Sequence, residues 1–163
     1  MNRLIPTFAL VAAVLATACS SSDEPAPKPP QTGTVVLRFG MADTARKSAA
    51  LKDPLKGSVY GAIFLAEDVG VTGPRDGAQE FGSIELHDVD LQAAQTSLES
   101  WTTPPLEPNK YIFTGFFDVD GNGASSRRPD VGDPATVPLA DKKFDVTAGQ
   151  QTEFVEKFDI VLN

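Results

Sequence analysis

The sequence predicts an all-β domain over residues 33–163, an antiparallel β-sandwich of six or seven strands. Three observations predict it. Short runs alternate apolar and polar residues, 13 glycines and 13 prolines punctuate the chain between such runs, and no helical repeat or coiled-coil period is present.

Taken in order, Val35, Leu37 and Phe39 alternate with Thr34, Val36 and Arg38, which gives a first strand with one apolar face. Residues 41–57 are mixed and contain Asp53-Pro54, so they read as a connection with one helical turn in TARKSAALK. Residues 58–66, SVYGAIFLA, are apolar on both parities between Gly57 and Glu67-Asp68, the pattern of a central strand covered on both faces. The Gly- and Pro-rich stretch 70–82 reads as a loop. A strand follows over 83–91, where Ile84 and Leu86 share one parity and Val89 and Leu91 the other; a bulge near Asp88 reconciles them. Residues 96–102 form a short strand ended by Pro104-Pro105, and 110–117 form another. Residues 143–147 and 152–162, around Ala148-Gly149-Gln150, read as a hairpin with Phe154, Phe158, Ile160 and Leu162 on one side, interrupted by Glu156.

The N-terminus has a different character. MNRLIP is followed by about a dozen residues without a charge, too few for a bilayer span of about 20 and typical of a signal peptide over residues 1–18. Ala16-Thr17-Ala18-Cys19 resembles the bacterial lipobox, with Ala16 where leucine is most usual. The resemblance implies lipidation (palmitate-type acylation) of Cys19, and Ser20 after it is similar to the outer-membrane sorting pattern of Gram-negative lipoproteins. Cys19 is the sole cysteine, so no intramolecular disulfide can form. Residues 19–32, rich in Ser and Pro without a large apolar residue, read as a tether. The expected location is the outer membrane, facing the periplasm or the cell surface, with the lipid bilayer as a partner.

Twenty-two carboxylates against 14 basic residues give a net charge of −8, the wrong sign for nucleic acid and the right one for cations or for basic or neutral partners.

Residues 116–134 read FFDVDGNGASSRRPDVGDP and hold the most informative motif. Asp118, Asp120 and Asn122 are spaced two apart with Gly123 next, the first half of an EF-hand-like loop. Calcium needs six to eight oxygens, and a curved loop turns alternate side chains inward. Position twelve from Asp118 is Pro129 instead of a bidentate glutamate, and the entering segment alternates like a strand. The expectation is therefore a strand-borne structural Ca2+ site of Asp118, Asp120 and Asn122, with the Ala124 carbonyl and Asp130, or Asp133, closing the shell. The competing reading is a solvated turn at Asp120-Gly121 or Asn122-Gly123. A simple hairpin is followed at once by a pairing strand, whereas residues 124–138 carry no alternation.

The segment PPLEPNKYIFTGFFDVDGNG resembles the strand and Asp/Asn/Gly loop of prealbumin-like sandwich domains, of the transthyretin-like and collagen-adhesin B-repeat kind, found on bacterial surface proteins and lipoproteins. That resemblance implies a non-enzymatic structural or surface-binding role.

The remaining residues are read as structural. His87, the only histidine, has no second histidine or cysteine for zinc, and no GxSxG elbow accompanies it. Glu67, Asp68 and Asp76 are loop acids, and Arg127-Arg128 is a solvated pair. Trp101, Tyr60 and Tyr111 either pack the sandwich or line a carbohydrate or peptide surface. The reading is an envelope lipoprotein that is not an enzyme, with a glycan or envelope protein as possible partner; the alternative is a recognition module without metal.

Overall fold

The computed structural model describes residues 31–92 and 96–163. The expected signal peptide, Cys19 and nearly all of the tether lie outside these residues. Two β-sheets enclose one core. In the first, β1 (Thr34–Met41) lies between β6 (Thr96–Thr102), antiparallel to it, and β10 (Gln151–Phe158), parallel to it. In the second, β2 (Lys56–Leu65) lies between β5 (Glu80–Asp90) and β7 (Lys110–Asp118). The far edge of β7 is shared by β8 (Pro134–Ala135) and β9 (Lys143–Asp145), and β11 (Ile160–Val161) pairs with β8. The expected all-β sandwich is therefore present.

The strands follow their sequence patterns. Val35, Leu37 and Phe39 of β1 are fully buried, and alternation puts them all on the inner face. They meet Val59 and Ile63 of β2, Phe113 and Phe117 of β7 and Phe158 of β10 in one cluster. Phe39 meets Phe113 edge-on at 5.5 Å and Phe158 in a stack at 6.1 Å. These geometries suit the ring quadrupoles and add to the burial energy. The bulge expected near Asp88 is real: Val59 pairs with Leu86 but Gly57 with Val89, leaving one extra residue on β5, and Asp88 takes the left-handed conformation at φ 57°.

The one helical turn expected in TARKSAALK does form, as α1 (Asp43–Arg46). Three expectations are corrected. The loop over 70–82 contains a small two-stranded ladder, β3 (Val69–Gly70) with β4 (Gly73–Pro74), and β5 begins inside it at Glu80. The C-terminal hairpin does not form: β9 pairs with β7 in one sheet and β10 with β1 in the other. A turn does lie between them, with Gln150 N–H donating to Thr147 O at 3.1 Å. The cause is the open edge of β1, whose eight residues all find partners on β10, a longer ladder than β9 offers. The apolar face expected over 152–162 also breaks at Asp159, where the chain changes sheets, so Ile160 points to solvent and Val161 is buried.

Glu156 sits in the middle of β10 and is fully buried. Lys142, in a 3-10 turn at Ala140–Lys142, reaches its Oε1 at 3.2 Å and also donates to Asp159 Oδ1 at 2.9 Å and to the Lys157 carbonyl at 2.6 Å. Glu156 Oε2 has no hydrogen-bond partner among the described residues. Burial pushes the Glu156 carboxyl up to about 8; the charge and hydrogen bond of Lys142 oppose the rise, and repulsion from Asp159 adds to it. A carboxyl with a raised folded pKa holds its proton more tightly in the folded state. Its stabilising contribution is complete at low pH and is lost as pH rises from about 4.5 through about 8. Unfolding free energy should accordingly fall across that window, and Glu156→Gln should flatten the slope while Asp159 continues to neutralise Lys142. Denaturant melts at several pH values check this, and equal slopes in the two proteins would refute it.

Candidate functional site

The loop after β7 is organised by Asp118, the last residue of that strand, which is 1% exposed. Its Oδ1 accepts the Gly121 N–H at 2.8 Å and its Oδ2 the Gly123 N–H at 3.0 Å. One buried carboxylate thus satisfies two backbone donors where the chain turns from β7 into α2 (Gly123–Ser126). Gly123 is required by contact: a Cβ there would meet the Phe116 ring at 2.9 Å and the Asp118 carboxylate at 3.0 Å.

The far end of the loop is tied by Asp133, which is fully buried. Its Oδ1 accepts Val119 N–H at 3.2 Å and its Oδ2 accepts Asp130 N–H at 3.1 Å, so residues 119 and 130–133 are held together. Burial raises the Asp133 pKa; repulsion from Asp130 and Asp118 adds to the rise, while the two backbone donors oppose it.

The exposed carboxylates are served by a lysine. Lys52 Nζ lies 2.9 Å from Asp120 Oδ2 and 3.9 Å from Asp130 Oδ1. The hydrogen bond from Lys52 lowers the Asp120 pKa and the same bond raises that of Lys52. Asn122 donates from Nδ2 to Asp130 Oδ2 at 2.6 Å, and its own N–H bonds Asp120 Oδ1 at 3.3 Å. Ala124 is exposed on α2. The expected ligands therefore gather on one loop. Their side chains, however, bind backbone amides, Lys52 and one another, and among the described residues no group of three or more His, Cys, Asp or Glu side chains is placed to hold a metal.

What this loop positions is Arg127. It follows α2 in the left-handed conformation, φ 51°, uncommon for a residue with a side chain. Its N–H bonds the Gly123 carbonyl at 2.9 Å. The guanidinium is thereby laid over the Tyr60 ring, 4.9 Å from its centroid, and donates to Glu85 Oε2 at 2.6 Å. That bond lowers the Glu85 pKa. His87 Nε2 stands 3.3 Å from the other Glu85 oxygen and its Nδ1 3.0 Å from Ser58 Oγ.

Arg127 forms one end of a cleft of about 670 Å³ on the outer face of the larger sheet. Tyr60, Ala62 and Phe64 of β2 and Thr114 and Phe116 of β7 line its floor. The β3–β4 turn with Val71 and the segment 135–138 stand at its sides. Asp159 fastens that segment: its N–H donates to the Ala135 carbonyl at 2.9 Å and its Oδ2 accepts the Val137 N–H at 3.1 Å.

Of the aromatic residues singled out in the sequence, Tyr60 lies in the cleft floor, Tyr111 is in the core with its hydroxyl on the Glu107 carbonyl at 3.0 Å, and Trp101 packs against the core. Arg127, read as solvated, was missed, as were Lys52 and the cleft. The apolar outer parity of residues 60–64 was the available signal for the floor, because a face left open over an apolar row forms a groove.

The chain matches no protein family, and no curated protein or solved structure is similar to it.

Two substitutions separate the buried carboxylate from the exposed one. Asp118→Ala strands the Gly121 and Gly123 N–H groups, one of them buried, and should cost about 2–4 kcal/mol of unfolding free energy. Asp120→Ala loses an exposed pair with Lys52 and a long, exposed bond from the Asn122 N–H, which water can replace, and should leave the denaturation midpoint almost unmoved. Urea titration of both variants checks the contrast, and a loss from Asp120→Ala as large as that from Asp118→Ala would contradict it.

Proposed function

We propose that the chain is a non-enzymatic lipoprotein of the outer membrane, anchored through Cys19, that uses the outer face of its larger sheet to hold an envelope ligand. The observation that carries this reading is the cleft of about 670 Å³, a size typical of ligand sites, with an apolar floor and few polar groups. The titratable groups beside it support binding over catalysis. Glu85 is held as an anion by Arg127, and His87 is engaged by Glu85 and Ser58. A long loop whose buried acids fix one cleft wall fits the same reading.

The prealbumin-like relationship suggested by residues 104–123 belongs to this proposal, as does the tether over 19–32, which would hold the domain clear of the lipid surface. Radiolabelled palmitate should enter the wild-type chain and not Cys19→Ser. The unanchored Cys19→Ser chain should cosediment with isolated envelope material, and adding Ala62→Trp, which fills the cleft floor, should abolish that. Equal cosedimentation of the two would overturn the reading.

A second reading keeps calcium as a structural ion of the 118–133 loop. It is favoured by three carboxylates, Asp120, Asp130 and Asp133, acting on the ammonium of Lys52, and by the repulsion from Asp130 and Asp118 that adds to the rise at Asp133. Asp118, Asp120, Asn122, Asp130 and the Ala124 carbonyl would hold it, with Lys52 displaced. The ion would supply charge neutralisation, at the affinity of extracellular modules, about 10⁻⁴ to 10⁻³ M. With Lys52 as the resident cation, the melting temperature in millimolar calcium should equal that in chelator. A rise in calcium that Asp120→Ala loses would select the second reading.

A further inference from the structure

We propose that the occupant of the cleft is a short, uncharged oligosaccharide, an inference that rests on the recognition reading above. The register of the sheet shapes the floor. Ala62 pairs with Ser83 on one side and Thr114 on the other, so a row of three small residues crosses the strands. Two places before it in β2 runs the row of Glu85, Tyr60 and Phe116, and two places after it the row of Glu80, Phe64 and Ile112. Alternation puts the first two rows and Phe64 on the outer face, and a bulge at Phe81 brings Glu80 beside Phe64, so the small row is a valley between two ridges about 13 Å apart.

The valley crosses the strands at right angles. An extended peptide gains affinity on a sheet by pairing with a free edge, and β2 is already paired on both sides, with β5 and β7. Tyr60 and Phe116 are 3% and 4% exposed, and Arg127 covers Tyr60, so they form an apolar wall without the open ring faces that a proline-rich helix enters.

The polar groups match a polyhydroxyl ligand. The Ser83 and Thr114 hydroxyls and the Glu80 carboxylate line the cleft and make no hydrogen bond to any described residue. They face the open space, where ligand hydroxyls can replace the water that serves them.

Charge excludes acidic ligands. The one guanidinium at the cleft is neutralised by Glu85, Glu80 is unpaired, and the whole chain is −8. A uronic acid or phosphate would meet net negative charge and no free cation.

The test is a glycan array of uncharged, amino-sugar and acidic oligosaccharides probed with the full Cys19→Ser chain. Its arms are Cys19→Ser alone, with Ala62→Trp, and with Thr114→Val. The peptide of residues 23–31 serves as a proline-rich competitor. Uncharged oligosaccharides should bind, Ala62→Trp should weaken them about tenfold or more, and Thr114→Val, which keeps shape and removes one hydroxyl, should weaken them about two- to tenfold. Thr114→Val keeps the test valid if the tryptophan disturbs folding. Exclusive binding of acidic glycans would overturn the ligand class. Binding of the peptide alone, blocked by Ala62→Trp, would overturn the oligosaccharide while leaving the recognition reading intact. No binding to the array, together with envelope cosedimentation indifferent to Ala62→Trp, would overturn both.

Discussion

The outer surface of this protein depends on one buried carboxylate. Asp118 closes β7, and its two oxygens accept the amides of Gly121 and Gly123. A strand would otherwise end in a long irregular segment with unpaired backbone groups. Because those donors converge on a buried carboxylate, each bond is stronger than its neutral counterpart. Removing the acceptor would leave the buried Gly123 donor with no replacement. Space is as important as charge. Gly57 lets β2 press against the Asp118 carbonyl where any Cβ would collide, and Gly123 lets the returning loop press against the Asp118 side chain.

From that anchor the rest of the wall follows. Asp133 ties the loop's return to its start, Lys52 neutralises the acids left facing water, and α2 ends with Arg127 in a left-handed conformation that aims it at Tyr60 and Glu85. The opposite wall is fastened from the C-terminus by Asp159, which also takes part in the Lys142–Glu156 cluster. The cleft is thus bounded by segments held by acids at both ends, and its floor is the outer face of a sheet whose inner face carries the aromatic core. Rigid sheets carrying ordered loops suit recognition, because little ordering entropy is left to lose on binding.

Much of the sheet structure was legible because period-2 patterns are local. The strand at 34–39, the central strand at 58–66 and the bulge at Asp88 each depend on the residues beside them. The loop was legible as an ordered acidic segment, since no pairing strand follows Gly123. What local pattern cannot carry is partner choice. Residues 152–158 read equally well as a hairpin with 143–147 or as a parallel partner of β1, and only the length of the β1 edge decides between them. The same holds for the site. Lys52 is 68 residues from Asp120 in sequence, and Arg127 is 42 from Glu85, so neither pairing leaves a mark in the DxDxNG motif. Glu156, seen as an interruption of an apolar face, is a buried acid whose burial depends on Lys142 and Asp159.

Backbone hydrogen exchange at Gly121 and Gly123 reads the central interaction directly. With Asp118 as the acceptor, both amides should exchange slowly, and equally slowly in chelator and in millimolar calcium. Exchange in chelator at the rate of an open loop, slowed only when calcium is added, would contradict it, because the loop would then be ordered by an ion and not by the Asp118 carboxylate.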